Sequence, residues 1–322
     1  MTNPNQIPPA LSYSRLAGAA LGTMTGDALG MPVETWSPER IGRVHGRLDR
    51  LLPGRLPAGS YTDDSQMMIA ILETLAQRGE LDPAYLAGRF LALFEPRRGY
   101  GGRIHGVMER LRQGVAWDQA GTDSFGNGGA MRVGVLGAYY ADDLQRLRAA
   151  ALDQCRITHY HPQGLAGAAA QALAVGLACR WGAQGQKPPP QEMAEELAAR
   201  VEDIDQHTAG RLRAMPPLPA GDLAGARLAL SLTYRCDVTA AEAVPPALGA
   251  FLWADSAEEA LVLAVSLGGD TDTIGAMTGA LAGAFWGLEG LPQKWLQGLE
   301  NGPQGRDYVL ELCHRALEAK TS

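Results

Sequence analysis

The stretch GAALGTMTGDALG (residues 18–30) places a glycine at every fourth position, and this spacing is the strongest indication of fold class in the chain. Residues 275–287 (GAMTGALAGAFWG) have the same spacing, and residues 164–176 repeat it with small residues. The three stripes are Gly18, Gly22, Gly26 and Gly30; Gly164, Ala168, Ala172 and Gly176; and Gly275, Gly279, Gly283 and Gly287. Positions four apart lie on one face of a helix, where each glycine costs about 1 kcal/mol relative to alanine. Because close approach between helix backbones offsets that cost, the stripes predict buried, closely packed helices.

Similar stripes occur where helices pair inside membranes, so the polarity of these segments has to be considered. The first two stripes in chain order contain Asp27 and Gln171 within them. The longest apolar stretches, residues 165–179 and 274–288, are shorter than the about 18 to 20 residues that a membrane span needs. Residues 1–14 have no basic segment before an apolar one, so we expect no secretory signal. We predict a cytoplasmic protein that does not insert into a membrane.

Composition restricts the class of protein further. The chain has 322 residues, of which 46% are hydrophobic and 20% charged, which excludes a mainly disordered protein. Its net charge of −7 disfavours a general nucleic-acid binder, so we expect no sequence-specific binding to nucleic acid. The four cysteines form no CxxC pair and are expected to be reduced, buried thiols rather than disulfides or zinc ligands. They are Cys155, Cys179, Cys236 and Cys313.

Helical periodicity extends beyond the stripes, and it indicates an all-α fold. Residues 64–79, 191–212, 257–265 and 308–317 each place apolar residues on one helical face, whereas no run alternates like a strand. Segments rich in helix breakers, such as residues 37–60 and 215–221, are short or contain apolar anchors. None resembles a long flexible linker. We therefore predict a compact bundle of many helices that forms one domain, residues 1–322, and by default a monomer.

Two acidic clusters stand at the starts of predicted helices. They are Thr62-Asp63-Asp64 and Asp270-Thr271-Asp272-Thr273. Thr and Asp are preferred N-caps, which is the ordinary explanation for either cluster. A cap needs one side chain, however, and adjacent carboxylates repel unless a cation lies between them. Oxygen ligands of this kind suit Mg²⁺, and Glu34 would add a fifth carboxylate unless it is an ordinary solvated loop residue.

Two glycine-rich turns are candidates for anion binding through backbone amides. Residues 98–102 read RGYGG and residues 124–129 read SFGNGG. Neither has the form of a P-loop, and neither follows a predicted strand. His159 and His161 have no other zinc ligand nearby in sequence, so we expect one to contact ligand or backbone and the other to be structural.

Five motifs in sequence order carry a resemblance to a known family. They are Gly26-Asp27-Ala28-Leu29-Gly30 followed by Glu34, Tyr61-Thr62-Asp63-Asp64, Gly126-Asn127-Gly128-Gly129-Ala130-Met131-Arg132, Thr158-His159, and Gly268-Gly269-Asp270-Thr271-Asp272-Thr273. In this order they resemble the ADP-ribosylglycohydrolase family. The resemblance implies an all-α domain with two Mg²⁺ ions, or Mn²⁺ instead, in a central cleft. It also implies hydrolysis of the bond between the distal ribose of ADP-ribose and an acceptor.

The resemblance also implies roles for individual residues. It assigns catalysis to Glu34, Asp63 and Asp64, with Glu34 activating water. The implied metal ligands are Glu34, Thr62, Asp63, Asp64, Asp270, Asp272 and Thr273. The implied substrate contacts are Gly101, Gly102, Ser124, Phe125, Gly126, Asn127, Gly128 and His159.

The identity of the acceptor is less clear from the motifs. Residues 98–101 and 124–132 are similar to the branch that acts on serine-linked ADP-ribose, poly-ADP-ribose and O-acetyl-ADP-ribose, whereas the segment HYHP at residues 159–162 departs from it. The expected partners are thus ADP-ribosylated proteins or small ADP-ribose conjugates, and an arginine-linked substrate stays open. The motifs are also compatible with a non-catalytic ADP-ribose reader and with a phosphatase of the haloacid-dehalogenase type. The phosphatase would need a parallel strand before Asp270.

Overall fold

The computed structural model describes residues 10–321. Most of the segment for which we expect no secretory signal, residues 1–9, lies outside the described residues. The described chain contains helices and isolated bridges but no β-strand, which confirms the all-α prediction. The α-helices are α1 (Tyr13–Gly30), α2 (Pro38–His45), α3 (Asp63–Arg78), α4 (Pro83–Leu93), α5 (Gly102–Arg112), α6 (Gly128–Met131), α7 (Gly134–Tyr139), α8 (Leu144–Arg156), α9 (Pro162–Gln184), α10 (Pro190–Val201), α11 (Gln206–Arg213), α12 (Leu223–Thr233), α13 (Ala240–Trp253), α14 (Ala257–Val265), α15 (Thr271–Trp286), α16 (Gln293–Gly298) and α17 (Arg306–Thr321). Short 3₁₀ helices occupy Met31–Val33, Pro96–Arg98 and Leu288–Gly290.

Helices α1 and α15 pack against each other in antiparallel orientation, with their glycine stripes face to face. A Cβ atom built on Gly22 would lie 2.0 Å from the carbonyl oxygen of Gly279, and one on Gly26 would lie 1.9 Å from that of Gly275. No side chain fits at such distances, which confirms the close packing predicted from the stripes. The pair brings an N-terminal helix and a helix near the C-terminus into direct contact.

This pairing brings the end of α1 to the start of α15. The Thr271 hydroxyl donates a hydrogen bond to the Gly30 carbonyl (2.9 Å). Beyond α1, the Thr35 amide donates to the Gly269 carbonyl (2.7 Å), and the Gly269 amide donates to the Trp36 carbonyl (3.0 Å). The loop that carries Glu34 is therefore fixed against the loop that carries Asp270.

The remaining stripe, residues 164–176, belongs to α9, which is buried along most of its length. A Cβ atom on Gly176 would lie 2.7 Å from the side chain of Leu147, on α8, and one on Gly164 would lie 3.1 Å from the Ser124 carbonyl. Small residues here allow α9 to begin directly beneath the glycine-rich segment at residues 124–129.

Three of the four periodic segments form helices with nearly the expected bounds, as α3, α14 and α17. The prediction of one helix over residues 191–212 is wrong, because α10 ends at Val201 and α11 begins at Gln206. Asp205 caps α11 by accepting a hydrogen bond from the Thr208 amide (2.7 Å). The apolar period continues across this break, so periodicity alone could not locate it.

Cysteine state, membrane crossing and the segment before Asp270 can also be compared with the described residues. The four cysteines are buried and form no disulfide. None of the described helices is both long and apolar enough to cross a membrane. Asp270 follows helix α14 and a short turn rather than a strand, which removes the structural basis for a phosphatase of the haloacid-dehalogenase type.

Candidate active site

A cavity of about 400 Å³ collects almost all of the site residues predicted from sequence. One end is acidic and the other is formed by the glycine-rich segments. The predicted residues that line it are Glu34, Asp63, Asp64, Gly101, Gly102, Ser124, Phe125, Gly126, Asn127, Gly128, His159, Asp270, Asp272 and Thr273. Thr62 does not line the cavity. It caps α3 from below, where its hydroxyl accepts a hydrogen bond from the Asp64 amide (3.3 Å).

The acidic end is built where three segments meet. Carboxylate oxygens of Glu34, Asp270 and Asp272 lie within 4.8 Å of one another, and Asp63 and Asp64 reach the same region from the first turn of α3. Each acidic pair therefore stands at a helix N-terminus, as the sequence predicted. Their convergence depends on the pairing of α1 with α15, since no sequence segment contains them all.

The electrostatics of this end indicate a cation. Burial, together with the neighbouring carboxylates of Asp272 and Asp27, raises the pKa of Asp63 to about 7. Burial and the same kind of repulsion raise the pKa values of Asp64 and Asp270 well above the usual carboxyl range. The Oδ2 atom of Asp64 is buried and has no hydrogen-bond partner among residues 10–321. A buried carboxylate oxygen without a donor is costly, and a divalent cation is the partner that oxygen-only ligands suit, so these residues fit Mg²⁺.

Asp27 belongs to the first of the five family motifs, residues 26–30, but the sequence predicted no role for it. It is buried in α1 and accepts hydrogen bonds from the Thr62 amide (2.9 Å), the Ser65 amide (3.2 Å) and the Ser65 hydroxyl (2.6 Å). Asp27 therefore fixes the start of α3 against α1 and so orients Asp63 and Asp64. The available signal was an aspartate inside the glycine-striped segment, because a carboxylate in a buried helix needs hydrogen-bond partners.

Arg55 is a second residue that the sequence did not reveal. Its guanidinium group bonds the Glu34 carboxylate and lies 3.2 Å from Oδ2 of Asp272. Arg55 stands in an irregular loop, where neither periodicity nor a motif marks it. It places a fixed positive charge beside the acidic end of the cavity.

The opposite wall is the glycine-rich segment at residues 124–129, which backbone hydrogen bonds hold against residues 238–240. The Asn127 amide donates to the Val238 carbonyl (2.9 Å), and the Ala240 amide donates to the Phe125 carbonyl (3.0 Å). The Asn127 side chain donates to Oδ2 of Asp270 (2.6 Å), which joins the two ends of the cavity. Phe125 is half exposed at the mouth.

The two histidines have different positions. His161 caps α9, where its Nδ1 atom accepts a hydrogen bond from the Gln163 amide (3.2 Å). His159 lines the cavity, and its ring lies 2.7 Å from where a Cβ atom on Gly128 would stand. Glycine is required at that position because the imidazole occupies the space of a side chain.

Comparisons with known proteins show which proteins this chain is similar to. A sequence profile described as ADP-ribosylglycohydrolase matches residues 8–322. The human protein named ADP-ribosylhydrolase ARH3 is 30% identical over an alignment of 352 positions, gaps included, that covers 96% of this chain and 95% of that protein. The ADP-ribosyl-[dinitrogen reductase] glycohydrolase of Rhodospirillum rubrum is 29% identical over 293 residues, which cover 89% of this chain and 91% of that protein. A solved structure, described as an ADP-ribosylglycohydrolase-related protein complex, has a TM-score of 0.74 at 28% identity and covers 96% of this chain and 98% of its own.

Proposed function

This chain belongs to the ADP-ribosylglycohydrolase family, and from that premise we propose that it is a Mg²⁺-dependent hydrolase that releases ADP-ribose from oxygen-linked conjugates. Serine-linked ADP-ribose, poly-ADP-ribose and O-acetyl-ADP-ribose are the favoured substrates. The observation that carries the proposal is the convergence of five carboxylates from distant segments at one end of a cavity whose other wall is rich in glycine. Human and bacterial relatives of similar length are named as hydrolases of ADP-ribose linkages.

The residues assigned to two Mg²⁺ ions, or to Mn²⁺ instead, are those at the acidic end. They are Glu34, Asp63, Asp64, Asp270, Asp272 and Thr273, together with Thr62, which adjoins Asp63 but does not line the cavity. When bound, the cations would supply positive charge that offsets these carboxylates and attracts the hydroxyl groups of the distal ribose and the charge that develops near its anomeric carbon. The unpartnered Oδ2 atom of Asp64 supports this assignment.

Glu34 is the proposed general base. Its carboxylate accepts a proton from a water molecule as the water oxygen attacks the anomeric carbon of the distal ribose. The bond between that carbon and the acceptor oxygen breaks, and the electron pair leaves with the acceptor oxygen, which takes a proton from solvent while Glu34 returns its own proton to solvent. Asp63 and Asp64 assist by holding the acidic end in place. The glycine-rich wall and His159 bind the rest of ADP-ribose.

Arg55 supports the choice of an oxygen-linked acceptor. Its guanidinium contacts Glu34 and Asp272, so a positive charge stands beside the groups assigned to bond cleavage. An arginine acceptor would bring a second guanidinium to this place, whereas a serine hydroxyl or an acetyl ester would not. Like charges about 4 Å apart repel by about 1 kcal/mol even when water screens them fully.

The experiment that tests the proposal compares serine-linked and arginine-linked ADP-ribosyl peptides. ADP-ribose release is measured with Mg²⁺ and with excess EDTA. We expect release from the serine-linked peptide that EDTA abolishes. Release that EDTA leaves unchanged would refute the metal dependence, and preferred release from the arginine-linked peptide would refute the acceptor assignment. ADP-ribose binding without cleavage of either peptide would favour a non-catalytic reader.

The charge of Arg55 is tested separately by Arg55→Gln at saturating Mg²⁺. We expect the ratio of arginine-linked to serine-linked kcat/KM to rise by about fivefold, because the repelling charge is gone. Arg47→Gln is the matched control, since Arg47 pairs with Asp49 and Glu258 and does not line the cavity. An unchanged ratio in Arg55→Gln would show that another feature selects the acceptor.

A further inference from the structure

Arg132 is a buried cation that the proposed reaction leaves unexplained. Its side chain is fully buried in the wall of the cavity and stacks over the Phe90 ring at 4.6 Å. Its hydrogen bonds within the described chain all go to neutral acceptors: Nε to the Gln154 side chain (2.7 Å), Nη2 to the Gln154 carbonyl (2.9 Å) and the Thr158 hydroxyl (2.8 Å), and Nη1 to the Met67 sulfur (3.3 Å). A buried charge without a carboxylate is costly, so a positioning role is the natural explanation.

The bond from Arg132 determines what the Thr158 hydroxyl does. A guanidinium group only donates hydrogen bonds, so the Thr158 oxygen is the acceptor in that contact. The hydroxyl hydrogen is then free, and two acceptors are near: Nδ1 of His159 at 2.7 Å and the Cys155 carbonyl at 3.4 Å. The Cys155 carbonyl already accepts from the amides of Thr158 (3.0 Å) and His159 (2.8 Å). Because its two lone pairs are in use and 3.4 Å is long for a hydroxyl donor, the hydrogen goes to His159.

This contact fixes the protonation of the His159 ring. A ring nitrogen that accepts a hydrogen bond carries no hydrogen, so in the neutral ring Nε2 carries it. Burial and the positive charges of Arg132 and Arg103 lower the pKa of His159 to about 3, so the ring is neutral at neutral pH. The Nε2 atom lies toward the glycine-rich wall, 3.2 Å and 3.4 Å from where Cβ atoms on Gly128 and Gly126 would stand.

We propose that Arg132 and Thr158 are positioning residues that hold His159 as the Nε2–H tautomer, a neutral hydrogen-bond donor to an acceptor oxygen of bound ADP-ribose. The inference rests on the proposed function for the identity of the ligand. In this arrangement Arg132 acts on the histidine through Thr158, and Thr158 acts through its contact with His159. A neutral donor keeps its hydrogen at every pH at which the enzyme works, whereas a free histidine exchanges between two tautomers.

The tautomer is measured directly by long-range ¹H–¹⁵N NMR of the ligand-free protein with ¹⁵N-labelled histidine. The signal of His159 is assigned by its loss in His159→Gln. We expect Nδ1 to resonate as an unprotonated nitrogen and Nε2 as a protonated one. The opposite pattern in the wild-type protein would overturn the proposal without any further variant. This measurement needs no substrate, so its result stands whether or not the proposed function does.

The relay is then tested with Thr158→Val and Thr158→Ser. Valine keeps the shape but removes the hydroxyl, so we expect averaged ¹⁵N shifts for His159, about tenfold weaker binding of ADP-ribose by calorimetry, and a rise in KM with little change in kcat. Serine restores the hydroxyl and should restore the tautomer and the affinity. Wild-type shifts and affinity in Thr158→Val would refute the relay. Absence of ADP-ribose binding by the wild-type protein would refute the proposed function instead.

Thr74→Val is the matched control for loss of a buried hydroxyl. Thr74 is buried in α3, and its hydroxyl donates to the Ala70 carbonyl (2.9 Å) and does not reach the cavity. The control should leave the His159 shifts and the ADP-ribose affinity at wild-type values. If Thr158→Val does not fold, the serine variant and the wild-type spectrum still decide the question.

Discussion

The carboxylates at the acidic end are chemically alike, but they differ in exposure and in hydrogen bonding, and these differences suit them to different proposed roles. Glu34 is about one-third exposed and bonds Arg55, whereas Asp64 is buried with a carboxylate oxygen that no donor in the described part of the chain reaches. Exposure lets water reach Glu34, as a general base requires. Burial suits Asp64 to a cation, because only a strong positive charge compensates a carboxylate that has lost its water.

Glu34→Gln tests the role of the general base. The amide keeps the size of the side chain and an oxygen atom but cannot accept the proton, so we expect kcat to fall between a hundredfold and about ten-thousandfold. The affinity for ADP-ribose should change less than about threefold, measured by calorimetry with Mg²⁺. Glu109→Gln, on the exposed face of α5, is the control and should keep wild-type turnover. Turnover at the wild-type rate in Glu34→Gln would exclude the assignment.

The pH dependence of stability tests the acidic end without substrate. The pKa of Asp63 is raised from 3.8 to about 7, and those of Asp64 and Asp270 are also raised, so the folded state binds more protons than the unfolded chain over this interval. In EDTA, the free energy of unfolding should therefore fall as pH rises from about 4 to about 7. Below about pH 4 both states are protonated, and the contribution is fully present. Calorimetric melting across this interval measures the fall.

Asp64→Asn shows which part of that fall comes from the site. Asparagine carries no charge, so the variant should lose less stability with rising pH in EDTA and should gain less from added Mg²⁺ than the wild type. Asp203→Asn is the control, because Asp203 is an exposed aspartate paired with Arg148. The same pH slope in the wild type and in Asp64→Asn would mean that Asp64 is not a buried, repelled carboxylate.

At the scale of elements, the pairing of α1 with α15 determines whether the acidic end exists. The glycine stripes were recognisable in the sequence because they recur every fourth position, and they correctly predicted close packing. They did not identify their partners, since three stripes allow three pairings. Contact between the first and the third stripe places residue 34 beside residues 270–272.

Gly22→Ala tests this pairing. The added methyl group would stand 2.0 Å from the Gly279 carbonyl oxygen, so the two helices must separate. We expect a loss of about 3 kcal/mol or more in the free energy of unfolding by urea, together with a smaller stabilisation by Mg²⁺. Gly88→Ala on α4 has no atom within 4 Å of the added methyl group and should instead be neutral or stabilise by up to about 1 kcal/mol. Equal effects of the two substitutions would refute the packing explanation.

At the scale of the whole molecule, the sequence predicted what is local and missed what depends on distant contacts. The all-α class, the ends of α14 and the two acidic helix starts follow from periodicity and capping, which are properties of short segments. The hydrogen-bond partners of Asp27, Arg55 and Arg132 could not be predicted from the sequence, because each of these side chains bonds residues at least 20 positions away. The break at residues 202–205 was missed for the converse reason, since one side-chain cap interrupts an unbroken apolar pattern.

Because α1, α3 and α15 meet at the acidic end, cation binding should stabilise the centre of the molecule as one unit. Hydrogen exchange followed by mass spectrometry, with Mg²⁺ and with EDTA, measures this by segment. We expect slower exchange in residues 13–30, 63–78 and 271–286 together, since Asp27 links α1 to α3 and the stripes link α1 to α15. At a cation concentration about 100 times the dissociation constant, the gain in unfolding free energy should be about 2.7 kcal/mol. Helix α12, which has exposed Leu228 and Leu232, serves as the internal reference and should exchange at the same rate in both conditions. Protection confined to α3 would show that the cation is held by one helix rather than by the joined ends of three.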